Sequence, residues 1–109
     1  MRTKYWAVRT KWYDSRKESN RARDLELLQK VWKISKLEKQ VPILLQDAFE
    51  HKWEKYRKIE YIADFVYQED GEIIVEDVKS KFTAEDPIYK IKKKLLLKKY
   101  PLMNFKENI

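Results

Sequence analysis

The sequence predicts an α/β (α+β) protein with a central mixed sheet flanked by helices. Three observations predict it: a helically spaced apolar stripe near the start, two β-type runs joined by Asp70-Gly71, and an Asp86-Pro87 helix start near the end. The expected order is α-β-β-β-α with a short closing strand, hence α-β-β-β-α-β. A chain of 109 residues holds one core, so residues 1–109 are expected to form a single domain, with residues 1–13 as a basic aromatic arm.

Ser15-x-x-Glu18 has the spacing of a capping box, and Ala22, Leu25, Leu28 and Trp32 follow at intervals of three and four, which predicts a helix over about 16–32. Leu37 to Gln46 is rich in Val, Ile and Leu but contains Pro42, which suits a strand at a sheet edge or with a bulge. Residues 47–58 are polar and basic and are expected to form a loop with the ends of its neighbouring strands. Ile59 to Tyr67 and Glu72 to Lys79 then form a hairpin, because a type I′ turn needs positive φ at both central residues and Asp-Gly supplies them. In that register paired residue numbers sum to 141: Val66 faces Val75, Asp64 faces Asp77 and Ile62 faces Lys79. Residues two apart share a face, so Asp64, Asp77 and Lys79 come together on one side. Tyr61, Ala63, Phe65, Ile74 and Val78 take the other, expected to be the main core face. A three-residue loop would shift this register by one and abolish the opposition. Asp86 as N-cap and Pro87 at the first helical position start a helix that Pro101 limits near Tyr100, with Ile88, Ile91, Leu95 and Leu96 as its expected buried face. Leu102 to Phe105 is the expected short final strand.

Composition removes several chemistries. With no Cys there is no disulfide framework, thiolate nucleophile or Cys-ligated zinc, and the cytoplasm is the expected compartment. One Gly cannot build a Gly-rich phosphate cradle, and the single His51 cannot make H-E-x-x-H; it reads as a surface loop residue. No apolar run approaches the roughly 18 residues that span a bilayer, so no membrane partner is expected. A site must therefore use carboxylates, lysines, hydroxyls or an oxygen-ligated metal.

The net charge of +7 is unevenly placed. Arg2, Lys4, Arg9 and Lys11 meet no acid in residues 1–12, and Lys90, Lys92, Lys93, Lys94, Lys98 and Lys99 outnumber Glu85 and Asp86 in residues 84–100. Two basic ends thus enclose a near-neutral middle. They suit a polyanion, and Tyr5, Trp6, Trp12 and Tyr13 add rings able to stack on bases, as do Trp53 and Tyr56 beside Lys52, Lys55, Arg57 and Lys58. An acidic protein, or a solvated helix face whose charge complements the helix dipole, accounts for the same lysines.

Two aspartates opposed across neighbouring strands have Cβ atoms about 5 Å apart, and the repulsion destabilises the sheet unless something offsets it. A divalent cation, a proton on one carboxylate or the neighbouring Lys79 would each do so. Mg²⁺ suits such a pair because it needs only one or two protein carboxylates and completes its octahedron with water and phosphate oxygens. The plainer alternative is a pair of charged residues at an exposed strand end.

Asp64, then Asp77-Val78-Lys79 after twelve intervening residues, resembles the D…(D/E)xK signature of the PD-(D/E)xK nuclease superfamily. More closely, Tyr13 to Glu18, Leu37-Glu38-Lys39-Gln40, Tyr61 to Tyr67, Gly71, Val75 to Lys79 and Ile91-Lys92 are together similar to a small phage-associated family, domain of unknown function 1064, over most of residues 3–100. The resemblance implies a restriction-endonuclease-like core and a metal-dependent DNA endonuclease. It implies that Asp64, Asp77 and Glu18 bind Mg²⁺ or Mn²⁺. Lys79 would orient or help deprotonate the attacking water. The resemblance also places Gln40 at a family position, where it is expected to approach the site and the DNA; as residues alone, Glu18 is equally the N3 position of the capping box and Gln40 a polar strand residue. Lys92 matches a family position and is expected at phosphate; Lys93, Arg9 and Lys11 are further expected DNA contacts. The family commonly has Gly near position 32 and after the Lys, where this chain has Trp32 and Ser80. The implied partner is double-stranded or branched DNA, such as a Holliday junction or flap in recombination or replication. The implied state is a homodimer and the implied compartment the host cytoplasm of a phage-encoded protein. A non-catalytic DNA-binding module, or an adaptor in a phage replication complex, uses the same fold and charge.

Overall fold

In the computed structural model, the backbone of residues 2–109 and the side chains of residues 16–109 are described. The elements are α1 (Arg2–Lys30), β1 (Ser35–Gln46), β2 (Phe49–His51), β3 (Glu54–Tyr56), β4 (Ile59–Glu69), β5 (Glu72–Val78), a 3₁₀ turn (Thr83–Glu85), α2 (Pro87–Lys99) and β6 (Asn104–Asn108). Four strands form one sheet in the order β1-β4-β5-β6, while β2 and β3 pair separately. β1, β4 and β5 are antiparallel, and β6 joins β5 in parallel through the α2 crossover, so the sheet is mixed as expected.

Neither Pro nor Gly occurs before Pro42, and α1 accordingly begins at Arg2 rather than near residue 16. Ser15 is helical, so the capping-box reading of Ser15 and Glu18 is wrong and Glu18 lies inside the helix. The side chains of the arm expected at 1–13, Arg9 and Lys11 among them, lie outside the described residues. Leu25 is fully buried, with Ala22 and Leu28 packed beside it as their spacing predicts. Trp32, expected in the same stripe, is 90% exposed. It sits beyond the helix end at φ 64°, where the Trp32 N–H donates to the Gln29 carbonyl and the Lys33 N–H to the Leu28 carbonyl. That is a Schellman ending, whose left-handed position favours Gly.

The hairpin is built as expected. Asp70 and Gly71 have φ of 52° and 79°, and Phe65↔Glu76, Val66↔Val75 and Tyr67↔Ile74 keep the sum of 141. The expected single core face is not. Phe65, Ile74 and Val78 pack with Tyr67 and Leu25 under α1, whereas Tyr61 and Ala63 pack with Val75, Tyr89 and Leu96 under α2. Strict alternation would keep Ala63 and Phe65 together; they part across Asp64, where the facing strand β1 carries Gln40 at φ 53° and the paired backbone is interrupted between Lys39↔Phe65 and Val41↔Ala63. β1 is the edge strand and holds Pro42, and its register slips between Ser35 and Glu38 and again between Leu44 and Gln46.

Asp86 caps α2, its side chain accepting from the Ile88 N–H at 3.2 Å. Leu96 is buried as expected, but Ile88, Ile91 and Leu95 are exposed, and Tyr89 takes the core position instead. Tyr89 can do so because its hydroxyl finds the Glu107 carboxylate on β6. Full burial of Leu25 and Leu96 contributes roughly 2 kcal/mol each. Residues 47–58, expected as a loop, contain the β2–β3 ribbon. Its three-residue strands are too short and too charged to show alternation. The final strand lies at Asn104–Asn108, a little beyond its expected place.

Two substitutions test these turns. Gly71→Ala is expected to destabilise by about 1–2 kcal/mol, since no atom crowds its added Cβ and only the left-handed backbone opposes it. Trp32→Gly is expected to stabilise by about 1 kcal/mol for the converse reason. Urea denaturation of the two variants beside the parent checks both signs.

Candidate functional site

The β4–β5 ladder stops at Phe65↔Glu76. Beyond it, the predicted opposition of Asp64 and Asp77 exists, but through side chains. The Val78 N–H donates to Asp64 Oδ2 at 2.8 Å, and the Asp64 N–H donates to Asp77 Oδ1 at 3.2 Å. The two carboxylates stand in for strand carbonyls. Ile62 and Lys79 do not pair; the Lys79 N–H donates to the Asn108 carbonyl on β6 at 2.9 Å.

Both aspartates are buried, Asp64 at 8% and Asp77 at 1% exposure, so the reading of charged residues at an exposed strand end fails. Asp77 Oδ2 accepts from the Tyr61 hydroxyl and lies 3.4 Å from Lys79 Nζ. Lys79 Nζ also stands 4.8 Å from the centre of the Tyr89 ring, while its carbonyl accepts from Lys17 Nζ at 2.9 Å. Gln40 approaches as its position suggested: its Nε2 donates to Glu18 Oε2 at 2.6 Å and to Asp64 Oδ1 at 3.3 Å. Its left-handed backbone therefore serves a side chain that bridges two acids. Ser80, in place of a Gly, closes the following turn by accepting from the Thr83 N–H at 3.0 Å.

Electrostatics distinguish this group from its neighbour. Glu76 is completely buried on the α1 side, yet Arg21 clasps it with Nε at 2.6 Å and Nη2 at 3.0 Å, and the Tyr67 hydroxyl donates at 2.7 Å. Burial pushes its carboxyl up, but these partners outweigh it and hold it below the ordinary range. Asp77 has far less. Burial and then the Asp64 charge push it up to about 7, only partly offset by Lys79 and Tyr61. Glu18 is raised by burial and by Asp64, despite Gln40. Tyr61, raised by burial and by Asp77, stays a protonated donor.

Asp64 thus stands between Glu18, reached through Gln40, and Asp77, which accepts from the Asp64 N–H. Among the described residues no three His, Cys, Asp or Glu side chains converge in a metal-holding cluster. The donor set nevertheless fits a hard divalent cation that keeps water in its shell, because such an ion needs only one or two carboxylates. Buried Asp77 has Lys79, at 3.4 Å, as its ion pair among the described residues and is left short of positive charge.

Of the lysines expected at DNA, Lys93 is committed to Glu107, 3.0 Å from both carboxylate oxygens. Lys92 is half-buried on α2. Sequence reasoning missed Tyr61, assigned to the core for its ring; a Tyr rather than a Phe at a buried position was the available signal. It also missed Arg21 and Glu76, whose pairing joins residues 55 apart.

The chain belongs to the family described as Protein of unknown function (DUF1064), whose model matches residues 2–108. No curated protein matches it, and no solved structure does.

Arg21→Ala leaves Glu76 buried without its cation and is expected to cost about 3–5 kcal/mol in urea denaturation. Asp77→Asn is expected to do the opposite at neutral pH. An acid raised in the folded state binds its proton more tightly there than when unfolded, so wild type loses stability as pH rises from about 4 to about 7. The Asn variant escapes that loss. It should gain about 2–4 kcal/mol at pH 8 and nothing below about pH 4, read from denaturation curves across pH.

Proposed function

We propose that the protein is a metal-dependent DNA endonuclease of phage type that hydrolyses phosphodiester bonds in double-stranded or branched DNA. The observation that carries this reading is the buried, under-compensated pair Asp64 and Asp77 with Lys79 at 3.4 Å and Glu18 held in by Gln40. The chain's net charge of +7 supports a polyanionic substrate.

Asp64 and Asp77 are the residues that would hold Mg²⁺ or Mn²⁺, with Glu18, linked to Asp64 through Gln40, as the further acidic ligand that would join them. When bound, such an ion supplies a polarised phosphate oxygen and a more acidic water. Asp77 is oriented by Tyr61 and by the Asp64 N–H. Lys79 orients the attacking water or takes part in its deprotonation, and its placement beside Asp77 and over the Tyr89 ring fixes the long side chain for that role. Lys92 meets phosphate from α2. Two symmetric cuts need two sites, so a homodimer is the expected acting form. No helix among the described residues is long and apolar enough to cross a membrane, and the cytoplasm, the host's for a phage-encoded chain, is the compartment that fits this role. The second reading, a non-catalytic DNA-binding module or a replication-complex adaptor, draws on the same charge.

Linear, single-stranded, flapped and four-way DNA incubated with Mg²⁺ or Mn²⁺ test this directly. Wild type is expected to cut at least one of them, with Asp77→Ala and Lys79→Ala slowed on the order of 100-fold or more. Cleavage that survives Asp77→Ala sinks the site. Salt-sensitive binding without cleavage supports the module, and indifference to all DNA at low salt supports the adaptor.

A further inference from the structure

The β2–β3 ribbon has no part in the site. Phe49↔Tyr56, Glu50↔Lys55 and His51↔Glu54 pair across it, it is hydrogen-bonded to no other strand, and all six strand residues are exposed. A free two-stranded ribbon is marginal in water. This one is stiffened by the stacked rings of Phe49 and Tyr56, whose centres are 4.9 Å apart and whose planes differ by 11°.

Its tip is Lys52-Trp53, with φ of 49° and 69°. These positive values make the same kind of turn as Asp70-Gly71, but with two residues that resist a left-handed backbone. Trp53 is 94% exposed, so the indole returns no burial for that strain. Strain at an exposed aromatic tip points to function rather than folding. Position adds to this. The ribbon continues the two strands that carry Gln40 and Asp64, and its base at Gln46↔Ile59 lies five residues along β4 from Asp64, roughly 16 Å of strand. Lys52 shares the tip, and Lys55 and Arg57 follow it.

We propose that the β2–β3 ribbon is a base-stacking wedge for unpaired nucleotides, with the Trp53 indole on a base and Lys52 on a flanking phosphate. A flat, solvated ring fits the π-face of any base, and a cation beside it fits the backbone. The inference rests on the nuclease reading and deepens it: the tip lies about six residues beyond the ribbon's base, roughly a further 20 Å of strand, so it gives the protein a means of preferring DNA that is splayed or single-stranded to one side of the scissile phosphate.

Fluorescence anisotropy with labelled DNA in EDTA separates binding from cleavage. The probes are a single strand, a flap and a blunt duplex, each titrated at two salt concentrations. Trp53→Ala is expected to weaken flap and single-strand binding about 5- to 100-fold, to leave blunt duplex within about twofold, and to keep the melting temperature. Trp53→Phe should recover most of the loss. Lys52→Ala should weaken the single strand and the flap and lower their salt slope by about 1. The wedge is overturned by a Trp53→Ala variant that binds flap and strand as wild type does, by equal loss on blunt duplex, or by a wild type that binds no DNA. It is also overturned where Trp53→Ala abolishes binding to anionic phospholipid vesicles and leaves DNA binding unchanged. Wild type that shows the wedge pattern in EDTA but cuts nothing in Mg²⁺ defeats the nuclease reading alone. Cleavage lost in Asp77→Ala with unchanged binding in Trp53→Ala defeats the wedge alone.

Discussion

Two backbone N–H groups, those of Asp64 and Val78, set the form of this protein by choosing carboxylates over carbonyls. Strands β4 and β5 pair normally from their turn to Phe65↔Glu76, and a further residue pair would have made Asp64 and Asp77 ordinary cross-strand neighbours. Instead their side chains take the ladder's place. The alternation of β4 changes phase there, which sends Phe65 under α1 and Ala63 under α2. That local exchange of acceptors divides the apolar residues of β4 between the two cores and leaves two buried acids at the change of phase. The facing strand agrees with it: Gln40, opposite the break, turns left-handed.

Adjacent residues on β5 show two solutions to the same cost. Glu76 and Asp77 are both almost wholly buried. Glu76 receives a two-pronged guanidinium and a phenol, stays ionised, and ties α1 to the sheet one turn from Glu18. Asp77 receives a phenol, one N–H and a lysine at longer range, and remains easily protonated. A purely structural acid would be served as Glu76 is. Leaving Asp77 short of positive charge makes the fold less stable at neutral pH than it need be, a cost of the sort found where a group must respond to something outside the protein.

Much of this was legible in the sequence because a few local rules act strongly. Asp70-Gly71 set the turn type, the turn set the register, and the register brought Asp64 toward Asp77. Asp86-Pro87 marked the start of α2 to the residue. What was not legible depended on contacts between distant segments. Periodicity put Tyr61, Ala63 and Phe65 on one face, since nothing local to β4 announces a change of phase that Gln40 on β1 shares. Apolar character favoured Ile88 and Ile91 over Tyr89 for the core, since the Glu107 partner that satisfies the Tyr89 hydroxyl comes from β6. The capping box at Ser15 was a sound local pattern that a longer helix absorbed.

The use of backbone strain argues the same division between folding and function. The chain has one Gly and spends it at position 71, where the register of the whole site depends on the turn. Trp32, Lys36, Gln40, Lys52, Trp53 and Asp70 take positive φ without that freedom. Asp70 is a residue type that tolerates the conformation, Gln40 recovers the cost through its bonds to Glu18 and Asp64, Trp32 takes it where two N–H bonds close the end of α1, and Lys36 takes it at the register slip of β1. The Lys52-Trp53 tip finds no such return among the described residues, since both side chains face solvent. Strain offset inside the chain belongs to the site's construction. Strain left unoffset at an exposed aromatic tip, on strands that lead directly to Asp64, is more economically explained by a ligand that covers it.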